Sequence, residues 1–359
     1  MIRINFKNFD WITVGLVVIL MSISLVSLAS IGLNFFYKQI IWFIIALFII
    51  FFFSQIDWPW FFTQPWFRQS FYWISLLILC IPFIQPGDAR GVDSWIFMGG
   101  FQFQPSELVK VALIILLAGF FSKRYLAAWQ TKNIVVSLLY TFIPVFIIMM
   151  QPDAGSAIVV AGIWASFIVM SGINKKRFLV GLLILIVIFA FLWMSVLEPY
   201  QKNRIIGFMF PETDPLGTNY NVIQSKIAIG SAGFLGKGFG MGTQVQFNFL
   251  PEAQNDFIFA AFVEEWGIFG GVILLLTYSL LIFRIIKTGL KVRRNDLKFF
   301  ILGVSSVFLI HFFVNIGSNI GLLPVIGINL PFVSYGGSSL LTSSFLISIM
   351  ERIRVESSS

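Results

Sequence analysis

The chain has 359 residues, of which 58% are hydrophobic and only 11% are charged. A soluble domain is nearer half apolar and one quarter charged, so this chain has too few polar side chains to cover a water-facing surface. The composition excludes a disordered chain, a secreted disulfide scaffold and a soluble enzyme. A membrane-spanning helix needs about 20 apolar residues, and the apolar side chains suffice for roughly ten spans. The predicted fold class is an all-α polytopic membrane protein, with a single domain over 1–359.

Ten apolar runs follow one another along the chain. We expect each run to form a transmembrane helix, because the runs are too long for barrel strands and do not alternate. The first run resembles a secretory signal but is longer than a typical signal core, which favours an uncleaved anchor. The short separator 151–153 predicts a helical hairpin between spans five and six. The runs cover 11–31, 38–54, 70–85, 106–122, 134–150, 154–171, 178–197, 257–285, 298–322 and 332–350.

The positive residues predict the orientation in the membrane. With a cytoplasmic N-terminus, 17 of the 24 Lys and Arg residues lie inside and 6 lie outside, while Lys110 falls within a span. Cytoplasmic loops carry such an excess, so both termini are predicted to be cytoplasmic. The net charge of +8 is then a topology signal and a contact for anionic lipids, not a nucleic-acid surface.

Two outer segments are sizeable: 86–105, and a large extracytoplasmic loop of about 198–256 between spans seven and eight. Loops of this length in a compact protein are usually functional. The single Cys80 and the single His311 lie instead in apolar runs. Because neither has a Cys or His partner nearby, no zinc site of the usual type is predicted.

The segment 103–110 opens the fourth predicted span. Pro105 suits a first helical turn, and Ser106 with Glu107 can supply cap and dipole contacts there. Glu107 and Lys110 are three residues apart, so they share a helix face and can pair. Two interpretations fit the spacing equally well. One is a helix start with a snorkelling lysine, and the other is an ion pair that lines an aqueous cavity.

Further acidic residues stand near predicted helix starts. Asp153 precedes the sixth span and Asp256 precedes the eighth, and taken alone each favours an N-cap. Glu264 and Glu265 lie two turns into the eighth span. Two consecutive carboxylates at this position either bind a partner helix or hold the helix geometry through hydrogen bonds.

The outer loop contains seven glycines within 217–242. Neither a Walker A loop nor a dinucleotide-binding loop fits, because Ser231 and Thr243 stand where glycine is required. The bland interpretation is a set of tight turns. Glycines nevertheless let backbone N–H groups approach an anion, and Lys226 and Lys237 add positive charge.

Small and polar residues mark the stretch 315–341. Gly317 and Gly321 have the spacing of close helix packing. The segment 334–339 is too polar for packing alone, and a break of this kind on the outer side can line a cavity.

Together these segments resemble the SEDS family (shape, elongation, division and sporulation proteins), the integral-membrane peptidoglycan polymerases. The resemblance covers essentially the whole chain, and the short N-terminal tail favours the elongation members over the division members. It is carried by 103–110, by 151–156, by 214–238 with Pro251, Glu252 and 256–259, and by 315–341. The chain departs from the family at positions where relatives often carry Arg, His or Thr, so several expected phosphate contacts are missing. These positions are Ser94, Gln102, Ala253, Gln254 and Asn255.

The resemblance implies glycosyl transfer between lipid-linked diphosphosugars. The GlcNAc 4-hydroxyl of lipid II would attack the anomeric carbon of the growing strand's terminal MurNAc, and undecaprenyl diphosphate would leave. Inversion at that carbon requires one direct displacement, with a general base at the hydroxyl and positive charge at the leaving group. The resemblance assigns the base to Asp256 and a cavity-shaping ion pair to Glu107 and Lys110. Asp153 and Glu252 are further substrate-site candidates.

Physical reasoning adds three basic residues predicted to face outward, Arg204, Lys226 and Lys237, as candidates for holding the diphosphates. Because few fixed positive charges face outward, a divalent cation (Mg²⁺ or Mn²⁺) is expected to accompany the diphosphate, without a dedicated protein site. The implied partners are an undecaprenyl-linked glycan, a class B penicillin-binding protein and the elongation complex, in the bacterial cytoplasmic (inner) membrane. Three alternatives remain: a lipid II flippase, a division-type paralogue, and a scaffold that does not need Asp256.

Overall fold

A computed structural model of the chain describes residues 9–84, 94–98, 101–124, 130–172, 202, 206–208, 217 and 219–358. The predicted seventh span, 178–197, and the candidate Arg204 lie outside these described residues. Before the large outer loop, the helices are α1 (Trp11–Ile31), α2 (Leu33–Phe53), α3 (Trp58–Thr63), α4 (Pro65–Leu79), α5 (Pro105–Lys123), α6 (Thr131–Met150) and α7 (Ala154–Met170). They continue with α8 (Tyr220–Ser231), α9 (Thr243–Gln246), α10 (Ile258–Lys291), α11 (Asn295–Asn319) and α12 (Gly337–Ser358).

Each predicted span in the described part of the chain coincides with a helix, although the ends differ by up to eight residues. The first span has the predicted bounds, and the separator 151–153 joins α6 to α7 as the expected hairpin. By length and composition, six of the described helices can cross a membrane, and α7 is a shorter apolar helix. The prediction of an all-α polytopic membrane protein is confirmed. The last helix begins at Gly337, not at 332, because residues 331–335 form turns against the outer loop.

A short antiparallel hairpin, which the sequence analysis did not predict, lies in the first outer segment. Strand β1 (Ile96–Met98) pairs with β2 (Phe101–Phe103), with Ile96 opposite Phe103. The chain then enters α5 at Pro105, so the predicted first-turn position of that proline is confirmed. Ser106 does not cap the helix as expected, because its hydroxyl lies 3.1 Å from the Ser156 hydroxyl on α7.

Helix α5 is the centre of the bundle. In the most apolar stretch of 18 residues in each helix, 89% of the residues are buried in α5, against 22% in α2 and 28% in α6. It packs against α4, α7 and α11, while the large side chains of α2 and α6 remain exposed along one side. Because this helix is surrounded by other helices, its ionisable residues Glu107 and Lys110 contact protein and not lipid.

The start of α1 and the last turns of α12 lie at the same end of the bundle. The Asp10 N–H donates to the Glu351 carboxylate at 3.1 Å, which joins the start of α1 to α12. Arg284 on α10 donates to both Asp10 oxygens at 2.6 and 2.8 Å. This agrees with the predicted even number of spans.

Helix α10 is broken at Gly267, whose φ of 72° and ψ of −177° are not helical. The glycine-rich loop fills the break with backbone hydrogen bonds. Ile268 N–H donates to Gly233 O at 3.0 Å, and Lys237 N–H donates to Glu264 O at 3.0 Å. The predicted tight turns are confirmed, since four glycines of this loop have φ between 66° and 101°.

Candidate active site

Asp256 lies in a turn that leads from α9 into α10. It is half-buried, and Phe257 occupies the N-cap position of α10, so the N-cap interpretation of Asp256 was wrong. Its backbone oxygen accepts hydrogen bonds from Asn315 Nδ2 at 3.0 Å and from Asn319 Nδ2 at 2.8 Å. Two buried amides of α11 therefore fix the backbone of the candidate base.

The segment 326–335 lies against the same turn. Ser334 Oγ donates to Asn255 O at 2.7 Å, and Tyr335 N–H donates to Gln254 O at 2.9 Å. A Cβ built on Gly327 would be 4.0 Å from Asp256 Oδ2. This segment is therefore a wall beside the Asp256 carboxylate, and its contacts account for the polar Ser334.

Glu252 shapes the turn from its other end. Its φ is 55°, and its backbone oxygen accepts from Asn255 N–H at 3.0 Å. Its carboxylate accepts from Asn255 Nδ2 at 2.8 Å and from Gln254 Nε2 at 3.3 Å. These contacts place Glu252 four residues from Asp256 in one hydrogen-bonded turn.

Glu107 and Lys110 form the predicted ion pair, with 2.7 Å between Lys110 Nζ and Glu107 Oε1. Both are buried within α5. Lys110 Nζ also lies 3.2 Å from His311 Nε2, and His311 Nδ1 lies 2.7 Å from Asn329 O. The pair is thus connected to the wall beside Asp256, and the simple snorkelling interpretation of Lys110 is wrong.

Asp153 caps α7, as predicted, by accepting from Ser156 N–H at 3.0 Å. Its second oxygen accepts from Gln104 Nε2 at 2.8 Å, immediately before α5. A Cβ on Gly155 would overlap Ile326 O. The start of α7 therefore packs directly on the wall segment, and Asp153 acts through that packing.

Lys226 is exposed and lines an open pocket together with Asn219 and Pro324. Within the described part of the chain it makes no ion pair. Its neighbour Ser225 donates to Asn319 O at 2.8 Å, so α8 is attached to the same residue that holds Asp256. Lys226 is thus an exposed cation on a helix that is hydrogen-bonded to the end of α11.

Lys237 lies at the break in α10 instead. Its ammonium is 2.7 Å from Glu264 Oε1, and the buried Glu264 also accepts from Gln244 N–H at 3.1 Å. Glu265 accepts from Ser30 Oγ and from Gly240 N–H. Both interpretations of the consecutive carboxylates are confirmed, because Glu264 holds the loop at the break in α10 and Glu265 binds Ser30 of the neighbouring helix α1. Contact of Lys237 with a diphosphate stays a prediction.

Three functional side chains lie on α11 and were not predicted from the sequence. His311, Asn315 and Asn319 are spaced by four residues, so they lie on one helix face. The spacing is visible in the sequence, but the partners of these side chains could not be predicted because they lie in other segments of the chain. Among the described residues, no group of three or more His, Cys, Asp or Glu side chains is placed to hold a metal ion.

The chain belongs to the FtsW, RodA and SpoVE family of cell cycle proteins, whose model matches residues 4–359. It is 39% identical over 273 residues to the peptidoglycan glycosyltransferase MrdB of Escherichia coli K12, covering 74% of this chain and 73% of MrdB. It is 35% identical over 317 residues to the stage V sporulation protein E of Bacillus subtilis, covering 87% and 85%.

Solved structures agree with this membership. A chain from a study of how a peptidoglycan synthase complex coordinates polymerization and crosslinking has a TM-score of 0.84 at 29% identity, covering 97% of this chain and 98% of that one. The Thermus thermophilus rod shape determining protein RodA has a TM-score of 0.72 at 26% identity, covering 96% of each. Within its family the chain is RodA-like, and it is a multi-pass membrane protein.

Proposed function

We propose that this protein is a peptidoglycan glycosyltransferase of the elongation type that joins lipid II units into glycan strands. One observation carries the assignment of its site. Asn319, at the end of α11, donates to the backbone oxygen of the candidate base Asp256 and accepts from Ser225, the residue before the exposed Lys226. An inverting transfer from a diphosphate requires both an acid–base group and positive charge.

In the proposed step, the Asp256 carboxylate takes the proton of the GlcNAc 4-hydroxyl of lipid II. The oxygen attacks the anomeric carbon of the terminal MurNAc, the bond from that carbon to the diphosphate breaks, and undecaprenyl diphosphate leaves. The single displacement converts an α-linked diphosphate into a β-1,4 bond. Lys226 is proposed to stabilise the negative charge of the departing diphosphate.

A divalent cation, Mg²⁺ or Mn²⁺, is proposed to enter with the diphosphate. The proposal is supported by the local charge, because Lys226 is the exposed cation of the pocket and Lys237 is engaged with Glu264. One lysine neutralises only part of a diphosphate. Such a cation would neutralise part of the negative charge of the diphosphate and make it a better leaving group.

The partner is proposed to be a class B penicillin-binding protein, within the elongation complex of the bacterial cytoplasmic membrane. The structural similarity to a chain from a synthase complex supports such an assembly. The charge distribution supports the location, because the excess of Lys and Arg at the end that carries both termini is typical of a cytoplasmic face.

The direct test is polymerisation of purified lipid II by the full chain with a cognate class B penicillin-binding protein, read as glycan strands on a gel. We expect Asp256→Ala to lose polymerisation by about 100-fold or more, the usual contribution of a general base. Asp57→Ala is the matched control, since Asp57 is a half-exposed aspartate that caps the short helix α3. Its rate should stay within about twofold of the wild type.

The same preparation separates polymerase from flippase. If the wild type moves lipid II across liposome membranes but makes no strands, transport is the function. If Asp256→Ala makes strands at the wild-type rate, the base assignment is wrong.

A further inference from the structure

His311 is the lone histidine of the chain, and neither a metal site nor the proposed chemistry uses it. It is 4% exposed, on the face of α11 that also carries Asn315 and Asn319. Each of these three side chains binds a backbone group outside its own helix. Asn315 and Asn319 hold Asp256, whereas His311 reaches the wall segment.

The two contacts of the His311 ring fix its tautomer. An ammonium group can only donate, so His311 Nε2 accepts from Lys110 Nζ. A carbonyl oxygen can only accept, so His311 Nδ1–H donates to Asn329 O. The ring is therefore neutral with its proton on Nδ1. Its two hydrogen bonds connect the buried Glu107–Lys110 pair to the wall.

The wall is attached to Asp256 at the adjacent residue. Asn315 Nδ2 donates to Ile328 O at 2.8 Å and to Asp256 O at 3.0 Å. The consecutive carbonyls of Ile328 and Asn329 are thus held by two side chains one turn apart on α11. A displacement of Asn329 would be transmitted to Ile328, to the Asn315 amide and to Asp256.

We infer that His311 is a positioning residue for the transfer reaction. Through the Nδ1–H bond to Asn329 it holds the 326–335 wall at the distance from Asp256 at which that carboxylate faces the acceptor hydroxyl. The buried ion pair of Glu107 and Lys110 fixes the position of the His311 ring through the contact between Lys110 Nζ and His311 Nε2. This inference rests on the proposed role of Asp256 as the base.

A matched pair of variants separates this role from simple packing. Asparagine and leucine have similar sizes, but only asparagine places a nitrogen donor on Cγ, where His311 has Nδ1. We expect His311→Leu to lower the turnover number for lipid II by about tenfold or more, as small misplacements of reacting groups do, with an unchanged KM. His311→Asn should recover turnover to within about threefold of the wild type.

Two results would overturn the inference. One is a turnover of His311→Leu within about twofold of the wild type. The other is an equal loss in His311→Asn and His311→Leu, because filling space would then be all that the ring does. Thermal midpoints of both variants show whether their folds are equally stable.

A double-mutant cycle tests the connection to the ion pair. If His311 passes the position of Lys110 on to the wall, Lys110→Met should cause little further loss of turnover in the His311→Leu background. Fully additive losses would show that the two residues act independently and would contradict the inference.

The failure of this inference differs from that of the proposed function. Wild-type protein that makes no strands, or Asp256→Ala that makes them normally, removes the proposed function and the inference with it. An inactive Asp256→Ala beside a fully active His311→Leu removes the inference alone.

Discussion

Asn319 connects more of the site than any residue singled out from the sequence. Its amide nitrogen donates to Asp256 O, its amide oxygen accepts from Ala260 N–H at 3.1 Å, and its backbone oxygen accepts from Ser225 Oγ. The side chain is fully buried. Its loss would leave buried backbone groups without partners, which is costly because water cannot replace the amide there.

We therefore expect Asn319→Ala to reduce stability by about 1–3 kcal/mol. The measurement is thermal unfolding of the detergent-solubilised protein, followed by tryptophan fluorescence. Asn34→Ala is the control, because Asn34 is exposed and helical in the first turn of α2. A midpoint for Asn319→Ala equal to that of the control would show that the amide does not hold the turn.

Residues that interact within one helical turn were predictable, and those that interact across the fold were not. The Glu107–Lys110 pair and the Asp153 cap follow from spacings of three residues. The contacts of His311 with Lys110 and Asn329 depend on how α5 and α11 pack. Sequence spacing contains no information on that packing. The sequence therefore brought His311 into the argument only when a zinc site was excluded.

At the scale of elements, the break in α10 explains the glycine-rich loop. A helix interrupted within the membrane region must satisfy its freed backbone groups within the protein. The loop 233–240 does so, and its glycines adopt the positive φ values that the close approach requires. Packing into the break thus explains the glycines of this loop, and contact of the loop with a diphosphate stays a prediction.

Gly267→Ala should be strongly destabilising. The Gly267 φ and ψ lie in a region occupied essentially by glycine, which costs other residues about 1–3 kcal/mol. An added Cβ would also overlap Phe234 O. Gly230→Ala is the control, since Gly230 is helical with open space around it and the change should be neutral or stabilising. Equal thermal midpoints for the two variants would contradict this explanation of the loop.

Gly155→Ala should act on the site more than on the fold. The new methyl group would push Ile326 O and so move the wall beside Asp256, which we expect to reduce strand synthesis by about tenfold. Gly15→Ala in α1, where nothing lies within 4 Å, should leave synthesis unchanged. A Gly155→Ala protein with normal synthesis would show that α7 does not support the wall.

Hydropathy located the helices because a membrane span must be long and continuously apolar. It did not reveal the β1–β2 hairpin or the break at Gly267, since both depend on contacts with distant segments. It also placed the start of the last helix five residues too early, because the apolar residues 331–333 are buried in turns. Apolar side chains are favoured both in the protein interior and at the lipid-facing surface, so hydropathy alone does not distinguish a buried turn from a membrane span.

At the scale of the whole molecule, Asp10 connects three helices. Burial alone raises the pKa of Asp10, but hydrogen bonds from Arg284 and Thr13 hold the pKa below the usual carboxyl value. A depressed carboxyl pKa stabilises the fold above the usual value of about 4 and loses that contribution as the pH falls through the depressed value.

Arg284→Met should therefore lower the thermal midpoint at neutral pH and reduce its dependence on pH below about 4. Lys287→Met is the control, because Lys287 lies one turn further along α10 and makes no ion pair among the described residues. An unchanged pH profile in Arg284→Met would show that the Asp10–Arg284 pair does not contribute to joining the two ends of the chain.

The most direct measurement is the rate of lipid II polymerisation by Asp256→Asn. Asparagine preserves the size of the side chain and leaves the backbone bonds to Asn315 and Asn319 available, but its amide cannot accept the hydroxyl proton. With an unaltered thermal midpoint, we predict a fall in the rate of about 100-fold or more. A folded Asp256→Asn protein that extends glycan strands as fast as the wild type would contradict the assignment of Asp256 as the general base.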